Sequence, residues 1–211
     1  MAIGVLVLGK SGSGKTCSLR NFTNDDPISV INVNGKPLPF KNDLKRVVMT
    51  DNPGEIIKAI QKTASKIIVI DDSQYIMANM YMKNANVPGF QKFEVIGSSF
   101  WRLVESLKQM PADKIVYFLH HEETDEFGNI KAKTQGKMID SHICLEGMFS
   151  IVIRATPIEG HYYFSTRNSG NDTVKTPMGM FNDALIDNDL KFVDQTIREY
   201  YSLTKPEKQA K

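Results

Sequence analysis

A glycine-rich segment near the N-terminus, residues 9–16 with the sequence GKSGSGKT, carries the residue types most able to do chemistry. It matches the phosphate-binding pattern GxxxxGK followed by Ser or Thr at every fixed position. The glycines let the backbone turn tightly and bring successive N–H groups onto phosphate oxygens. We expect Lys15 to reach the β- and γ-phosphates, and the Thr16 hydroxyl to ligate a Mg²⁺ ion that bridges them. The predicted nucleotide-binding residues are Gly9, Ser11, Gly12, Ser13, Gly14, Lys15, Thr16 and Cys17.

Two adjacent carboxylates, Asp71 and Asp72, follow the apolar run IIVI at residues 67–70. A continuous apolar run of this kind is typical of a central parallel strand that is buried on both faces. In phosphate-loop enzymes a carboxylate at the end of such a strand holds Mg²⁺ beside the loop threonine, and we predict this role for Asp71. Asp72 is a candidate for orienting the attacking water. The alternative is that these acids only solubilise the strand end or cap the following helix.

A pair of histidines, His120 and His121, ends another apolar run at residues 114–119. Open α/β sheets bind ligands at the carboxyl ends of their strands. A polar side chain here would therefore face the γ-phosphate if this strand neighbours the Asp71 strand. Adjacent residues on an extended strand point to opposite faces, so only one of the two imidazoles can face a common site. We predict that one of them senses the nucleotide, the alternative being a solvated or core histidine.

Two later segments combine cations with aromatic or small polar side chains. The first, residues 74–92, surrounds the turn-forming residues 84–89, and the second, residues 130–137, is the most basic stretch of the chain. Such segments suit stacking on exposed bases and contact with phosphates, and the alternatives are a surface loop and a solvated hairpin. The candidate contacts with single-stranded DNA are Lys83, Phe90, Lys92, Lys131, Lys133 and Lys137.

The elements that must position these residues alternate between apolar strands and amphipathic helices. Strands are predicted at residues 3–8, 28–34, 46–50, 66–73 and 114–119, with a late antiparallel hairpin at residues 149–154 and 161–166. Helices are predicted at residues 17–22, 53–64, 93–110, 138–147 and 190–201, with Trp101 in the core. This alternation predicts an α/β fold with a mostly parallel central sheet and helices on both faces. We expect one domain at residues 1–203 and a polar tail at residues 204–211.

Composition bounds the function only loosely. The 211 residues carry a formal net charge of +2, with 41% hydrophobic and 24% charged residues, which is typical of a globular chain and tolerates a nucleic-acid partner without demanding one. No apolar run approaches the ~20 residues of a membrane-spanning helix, and the N-terminal run is expected to be a core strand rather than a signal peptide. Cys17 and Cys144 show no pairing or metal-type spacing, which indicates a reducing, cytoplasmic location.

Taken together, the phosphate loop, the IIVIDD strand, the strand ending in HHE and the late hairpin resemble a RecA-like ATPase core. More narrowly, residues 3–185 resemble the small AAA-type ATPases of bacteriophages, which include RecA-like single-strand annealing proteins. The resemblance implies a RecA-like P-loop NTPase fold, ATP and Mg²⁺ as cofactors, and ATP hydrolysis linked to DNA in recombination or replication. It also implies a homo-oligomer in which Arg167 and Lys175 reach a neighbouring subunit's γ-phosphate, and DNA contacts from residues 77–92 and 122–137.

The chain departs from this resemblance at one position, and two other functions stay open. RecA proteins usually carry a catalytic glutamate where this chain has Asn32 and Asn34, so the general base is not identified. One alternative is a small-molecule or nucleotide kinase, although the convergent arginines of such enzymes are not evident, since Arg102, Arg154 and Arg167 lie far apart in sequence. The other is a nucleotide-dependent switch that binds a protein. The lack of an NKxD signature favours ATP over GTP.

Overall fold

The long apolar runs of the sequence form the strands of one mixed β-sheet in a computed structural model that describes residues 1–135 and 142–203. Within these residues the strands are β1 (Ile3–Gly9), β2 (Ile28–Asn32), β3 (Val47–Met49), β4 (Ile67–Asp71), β5 (Ile115–Thr124), β6 (Ile130–Ala132), β7 (Ile151–Ile158), β8 (His161–Ser165) and β9 (Leu185–Asp187). Their order is β3-β2-β4-β5-β1-β7-β8-β9, and β6 pairs with the end of β5. The strands from β3 to β7 in this order are parallel, whereas β8 and β9 are antiparallel.

Strand β5 lies between β1 and β4 and pairs with both in parallel. In this register Gly9, at the end of β1, is opposite His121, while Asp71, at the end of β4, is opposite Asn32 of β2. The carboxyl ends of four neighbouring strands therefore meet at one edge of the sheet. The prediction of an α/β fold with a mostly parallel sheet and a late antiparallel hairpin is confirmed at this level.

Helices cover both faces of the sheet. Among the described residues they are α1 (Pro53–Lys62), α2 (Gln74–Lys83), α3 (Gln91–Glu105) and α4 (Leu190–Tyr200). Side chains alternate between the faces along each strand, so Leu6 and Leu8 pack with residues of α1, α2 and α3 in one apolar cluster. Val5 and Val7 pack with residues of α4 in a second cluster on the other face.

Local sequence determines where α1 begins and ends. The Asn52 side chain accepts hydrogen bonds from the N–H groups of Gly54 and Glu55, and Pro53 occupies the first turn. At the other end, the buried Lys114 ammonium donates to the carbonyl oxygens of Ile60 and Thr63, each at 2.7 Å. The free carbonyls that end a helix are thereby satisfied by a cation from the start of β5.

The helix predicted at residues 17–22 is wrong, because the segment after the phosphate loop is only a short 3₁₀ turn, Thr16–Leu19. Turn-forming residues follow it directly. The Asp26 carboxylate accepts from the Thr23 N–H at 2.8 Å, and Pro27 precedes the first residue of β2. A continued helix would leave too little chain to return to the sheet.

Two further predictions are corrected on the α1–α3 face. Helix α2 occupies residues 74–83, so the loop predicted within residues 77–92 is reduced to residues 84–90. Trp101 is 42% exposed rather than in the core, because the buried stripe of α3 consists of other side chains. These are Ile96, Gly97, Phe100, Leu103 and Val104.

Some sequence predictions fall on residues 136–141 and 204–211, which lie outside the described residues. They include Lys137, the polar tail, and the first part of the helix predicted at residues 138–147. Of the remainder of that helix, Glu146–Met148 forms a 3₁₀ turn. Among the described residues, every helix is too short or too polar to span a lipid bilayer.

Candidate functional site

The phosphate loop curls around the side chain of its own lysine. The Lys15 ammonium is buried and donates to the carbonyl oxygens of Gly9, at 2.7 Å, and Lys10, at 2.8 Å. Glycine at position 9 permits a close approach, because a Cβ there would lie 2.3 Å from the Ser13 hydroxyl and 3.2 Å from the Ala155 carbonyl oxygen. Glycine is required at position 14 because the backbone φ angle is +92°. The loop conformation therefore depends on the residue types that define its pattern.

A cleft of about 380 Å³ opens above this loop at the carboxyl edge of the sheet. Its walls come from the loop, from the ends of β4 and β5, from the β2–β3 connection and from β8. The lining residues are Ser11, Gly12, Ser13, Gly14, Lys15, Thr16, Cys17, Lys36, Pro37, Pro39, Asp71, Asp72, Tyr75, His121 and Tyr162. All the predicted nucleotide-binding residues except Gly9 therefore face one cavity.

The two sequence motifs are joined by a direct hydrogen bond. The Thr16 hydroxyl donates to Asp71 Oδ1 at 2.9 Å, although the residues are 55 positions apart. Burial raises the pKa of Asp71 to about 6, and the hydrogen bond from Thr16 opposes this rise. Burial also lowers the pKa of Lys15 to about 8, against the attraction of Asp72, Asp71 and Glu122. Burial in the free cleft therefore destabilises both the ionised carboxylate of Asp71 and the protonated ammonium of Lys15.

The Thr16 and Asp71 oxygens fit the site of a Mg²⁺ ion. Magnesium prefers oxygen ligands and is usually held by one or two protein groups together with phosphates and water. Among the described residues no cluster of three or more His, Cys, Asp or Glu side chains forms a complete metal cage. This donor set therefore suits an ion that arrives with a phosphate ligand.

Asp72 is held in a fixed orientation by three neighbouring groups. Its backbone φ angle is +61°, an uncommon conformation for a residue other than glycine. The Asn34 amide donates to its Oδ2 at 2.8 Å, and His121 Nε2 lies 3.3 Å from its Oδ1. Burial alone would raise the pKa of Asp72, but the hydrogen bonds from His121 and Asn34 and the charge of Lys36 hold it well below its usual range. The carboxylate is consequently ionised and immobile at the cleft.

The two histidines lie on opposite faces of β5, as the sequence predicts. His121 lines the cleft, where its ring makes an edge contact with Tyr75 at a centroid distance of 5.7 Å. His120 is fully buried, and burial lowers its pKa to about 3. Its Nε2 lies 2.9 Å from the Lys133 carbonyl oxygen and its Nδ1 lies 2.9 Å from the Ser73 hydroxyl. His120 is therefore a core residue and does not reach the cleft.

Arg167 and Lys175 do not line the cleft of their own chain. The Arg167 guanidinium donates to the carbonyl oxygen of Asn182 at 2.6 Å. Lys175 pairs through its backbone with Val152 of β7, and its side chain is exposed. Both cations thus lie on the surface of the molecule, away from the phosphate loop.

Several of the predicted DNA contacts are occupied by partners in the same chain. The Lys83 ammonium lies 2.7 and 2.6 Å from the two carboxylate oxygens of Asp51. Lys92 lies over the rings of Tyr81 and Phe93, and Lys131 lies 3.2 Å from Glu123. By contrast, Phe90 is 76% exposed. Lys133 is also exposed.

Sequence reasoning missed two cleft residues, Lys36 and Tyr162, whose positions depend on the tertiary fold. Lys36 lies 3.4 Å from Asp72 and 5.4 Å from the centre of the Tyr75 ring. Tyr162 comes from β8, and its ring lies 2.8 Å from where a Cβ on Gly14 would stand. Lys36 follows the end of β2, at the same edge as Asp71, and this position was the available signal. Nothing in the local sequence marks Tyr162.

Comparison with protein-family models and with curated proteins finds no match to this chain. The functional argument therefore depends on the geometry of the cleft. That geometry combines a glycine-rich loop, a buried lysine, a hydroxyl–carboxylate pair suited to Mg²⁺ and a second carboxylate that accepts a hydrogen bond from Asn34. Together these groups can hold a polyphosphate and orient a water molecule beside it.

Proposed function

We propose that this chain binds Mg²⁺–ATP at a RecA-like phosphate loop and hydrolyses it. The observation that carries the proposal is the 2.9 Å hydrogen bond between Thr16 and Asp71, which brings the two motifs to one point of the cleft. Lys15 lies in the same cleft, beside Asp72. In phosphoryl transfer, catalysis is mostly positioning and charge stabilisation, which are the tasks that these groups are suited to perform.

Each cleft residue has a distinct proposed role in hydrolysis. Lys15 exchanges the carbonyl oxygens of Gly9 and Lys10 for phosphate oxygens, and Thr16 and Asp71 hold the Mg²⁺ ion. When bound, the ion neutralises charge on the β- and γ-phosphates. Asp72 accepts a hydrogen bond from the attacking water and aims it. Because its pKa is so low, Asp72 acts by orientation, which suits a loose transition state that needs little proton abstraction.

The cations of the cleft favour hydrolysis over transfer to a small acceptor. Kinases for small molecules use arginines that converge on donor and acceptor phosphates. The residues that line this cleft in the described part of the chain include Lys15 and Lys36 but no arginine. The fixed carboxylate of Asp72 likewise favours turnover over a switch that only binds nucleotide.

The proposed activity is linked to single-stranded DNA through the β5–β6 hairpin, in a homo-oligomer. The Lys133 N–H donates to the carbonyl oxygen of His121 at 2.8 Å, and the Lys133 carbonyl pairs with His120. The exposed Lys133 is therefore connected by one backbone hydrogen bond to His121, which lines the cleft. Phosphate binding by the hairpin can displace His121 and thereby the position of Asp72. This connection supports DNA-dependent hydrolysis.

The test is steady-state ATP hydrolysis by the full chain, with and without Mg²⁺ and single-stranded DNA. We expect Mg²⁺-dependent turnover that DNA increases. Lys15→Ala should lower turnover on the order of 100-fold, because the phosphate charge loses its main partner. Lys58→Ala, which removes the same charge from the exposed surface of α1, should leave it unchanged. Asp72→Asn should retain ATP binding and lose turnover.

The outcomes separate the candidate functions. Turnover that persists in the Lys15→Ala variant would overturn the assignment of the cleft. Hydrolysis that ignores DNA would leave the ATPase proposal in place and remove the DNA proposal. Phosphoryl transfer to a nucleoside or nucleoside monophosphate that is faster than hydrolysis would favour the kinase.

A further inference from the structure

A second cavity, of about 460 Å³, adjoins the phosphate cleft and shares two lining residues with it. It lies between the 3₁₀ turn after the loop and the β8 and β9 strands. The lining residues are Cys17, Arg20, Gly160, His161, Tyr162, Tyr163, Asp187 and Asn188. Cys17 and Tyr162 line both cavities, so one elongated ligand can extend from the first into the second.

The direction of such a ligand follows from which residues the cavities share. Asp71, Asp72 and His121 line only the first cavity, so the metal-binding end of the cleft is not the end that continues. A nucleoside triphosphate carries its metal-bound phosphates at one end and its base at the other. With the γ-phosphate beside Asp71 and Asp72, the base extends past Cys17 into the second cavity.

A buried amide without partners lies at this second cavity. Asn188 is 1% exposed, and within the described residues neither its side-chain nitrogen nor its side-chain oxygen has a hydrogen-bond partner. Its backbone is fixed, since its N–H donates to the Tyr162 carbonyl at 3.2 Å and its carbonyl accepts from Arg20. Unpaired buried polar groups are costly and rare in folded proteins. We therefore expect the Asn188 amide to form hydrogen bonds with a bound ligand.

The Tyr162 ring lies close to this amide. A Cβ on Gly14 would lie 2.8 Å from the Tyr162 ring and 3.3 Å from Asn188 Oδ1, so the ring and the amide both lie against the loop. Tyr162 is 47% exposed and can rotate away without opening the apolar clusters of the sheet. A rotated ring would present its aromatic face to a base that contacts the amide.

We propose that the second cavity is the base subsite of the nucleotide, with Tyr162 stacking on the base and the Asn188 amide selecting adenine. This inference rests on the proposed function, because it assumes that the phosphates occupy the loop. An amide offers one donor and one acceptor. We place the N7 edge of the base against the amide, because adenine presents the complementary pair there, N6–H₂ beside N7, whereas the Watson–Crick edge of guanine also offers a donor beside an acceptor, N1–H and O6. The N7 edge of guanine offers two acceptors, of which the amide can satisfy one.

The test measures equilibrium binding of ATP, GTP and inorganic tripolyphosphate to the full chain in the presence of Mg²⁺. Tripolyphosphate contacts the loop but has no base. We expect the wild-type chain to bind ATP at least about tenfold more tightly than GTP, as for one bidentate base contact. Asn188→Leu should remove this preference and leave tripolyphosphate affinity within about twofold. Asn182→Leu, at an exposed asparagine, should change none of the three affinities.

Two more variants make the test independent of a folding defect in Asn188→Leu. Asn188→Asp keeps the side-chain size but replaces the donor with a second acceptor, so it should weaken ATP binding relative to tripolyphosphate binding, because the carboxylate cannot donate to adenine N7. Tyr162→Ala should weaken ATP binding through loss of stacking, while tripolyphosphate affinity is unchanged or increased because the ring no longer covers the loop.

The results distinguish this inference from the proposed function. If tripolyphosphate binds but ATP and GTP bind equally, the base subsite is wrong and the phosphate site stands. The same follows if Asn188→Leu keeps the wild-type ATP-to-GTP ratio and Asn188→Asp keeps the wild-type ATP-to-tripolyphosphate ratio. If the wild-type chain binds neither tripolyphosphate nor ATP, the proposed function itself fails.

Discussion

The neighbouring histidines of β5 should respond to mutation in opposite ways. His120 is buried, with Ser73 and the Lys133 carbonyl as partners, whereas His121 contacts Asp72 at the cleft. His120→Ala should lower the free energy of unfolding by roughly 2–4 kcal/mol, because it leaves a cavity and two unpaired groups. His121→Ala should lower kcat by about tenfold with little effect on stability, since Asp72 loses one of its orienting partners.

Thermal unfolding and single-turnover hydrolysis, measured side by side on both variants, check this prediction. Each variant serves as the control for the other, because the same side chain is removed one position apart. A large loss of turnover in a stable His120→Ala variant would contradict the assignment of His120 to the core.

The buried carboxylate of Asp71 is predicted to lower the folding stability of the chain while serving as the Mg²⁺ ligand. Its pKa is about 6 in the folded chain against 3.8 in the ordinary carboxyl group, so between these values the folded chain holds a proton that the unfolded chain has lost. Folding stability from this group therefore falls as pH rises through that window, by up to about 3 kcal/mol. Asp71→Asn should unfold at a higher temperature than wild type at pH 8, and the difference should vanish below about pH 4.

The same Asp71→Asn variant should lose Mg²⁺-dependent ATP binding, since the amide cannot replace the carboxylate as a charged ligand. Asp25→Asn, which removes the same charge from an exposed position, should change neither property. Unfolding temperatures at several pH values, with and without Mg²⁺–ATP, provide the measurement. A lower unfolding temperature for the ligand-free Asp71→Asn variant at pH 8 would contradict this reading of the buried carboxylate.

Among the elements, the β5–β6 hairpin is the one expected to respond to DNA. Replacing Lys131 and Lys133 together by Ala should weaken single-stranded DNA binding and reduce the dependence of affinity on salt, because fewer counterions are released. Lys83→Ala is the matched control, since the Lys83 ammonium is already bound to Asp51. DNA affinity measured over a range of salt concentrations tests both. Equal effects of the two changes, or none from the hairpin, would argue against the hairpin as the contact.

The elements also explain which parts of the fold are predictable from sequence. Strands β1 and β4 are continuous apolar runs, of which β1 ends at the glycine-rich loop and β4 ends at Asp71. Their positions and their burial therefore follow from local pattern alone. The turn at Thr16–Leu19 does not, because residues 17–22 are compatible with a helix and only the need to reach β2 shortens it. The exposure of Trp101 is not predictable from the sequence, because an apolar residue at the margin of the buried stripe of α3 fits the helical pattern whether it is buried or exposed.

For the site, as for the fold, the residues of local motifs are predictable from the sequence and those positioned by the sheet order are not. Lys15, Thr16 and Asp71 are found from spacing because each belongs to a pattern that carries its own chemistry. Tyr162 and Asn188 reach the loop only through the pairing of β7 with β8 and of β8 with β9, which brings a distant hairpin beside Gly14. Such contacts are properties of the sheet order and leave no local signal.

At the scale of the whole molecule, the cleft contains the groups proposed to hold Mg²⁺ and to orient water, but among the described residues no arginine lines it. Arg167 and Lys175 lie on the surface and outside the cleft of their own chain. Cations that stabilise a phosphoryl-transfer transition state can be supplied by a second molecule. A head-to-tail arrangement of identical chains would place these residues of one subunit at the cleft of the next.

This arrangement predicts that two inactive variants restore activity to each other. Lys15→Ala has a defective cleft but intact surface cations, whereas Arg167→Ala with Lys175→Ala has the reverse. In a 1:1 mixture, about one quarter of the interfaces join an intact cleft to intact cations, so turnover should recover to about that fraction of wild type. ATP hydrolysis across a series of mixing ratios measures the effect, with light scattering to confirm that mixed oligomers form. Mixed oligomers without recovered turnover would mean that these cations do not act between subunits.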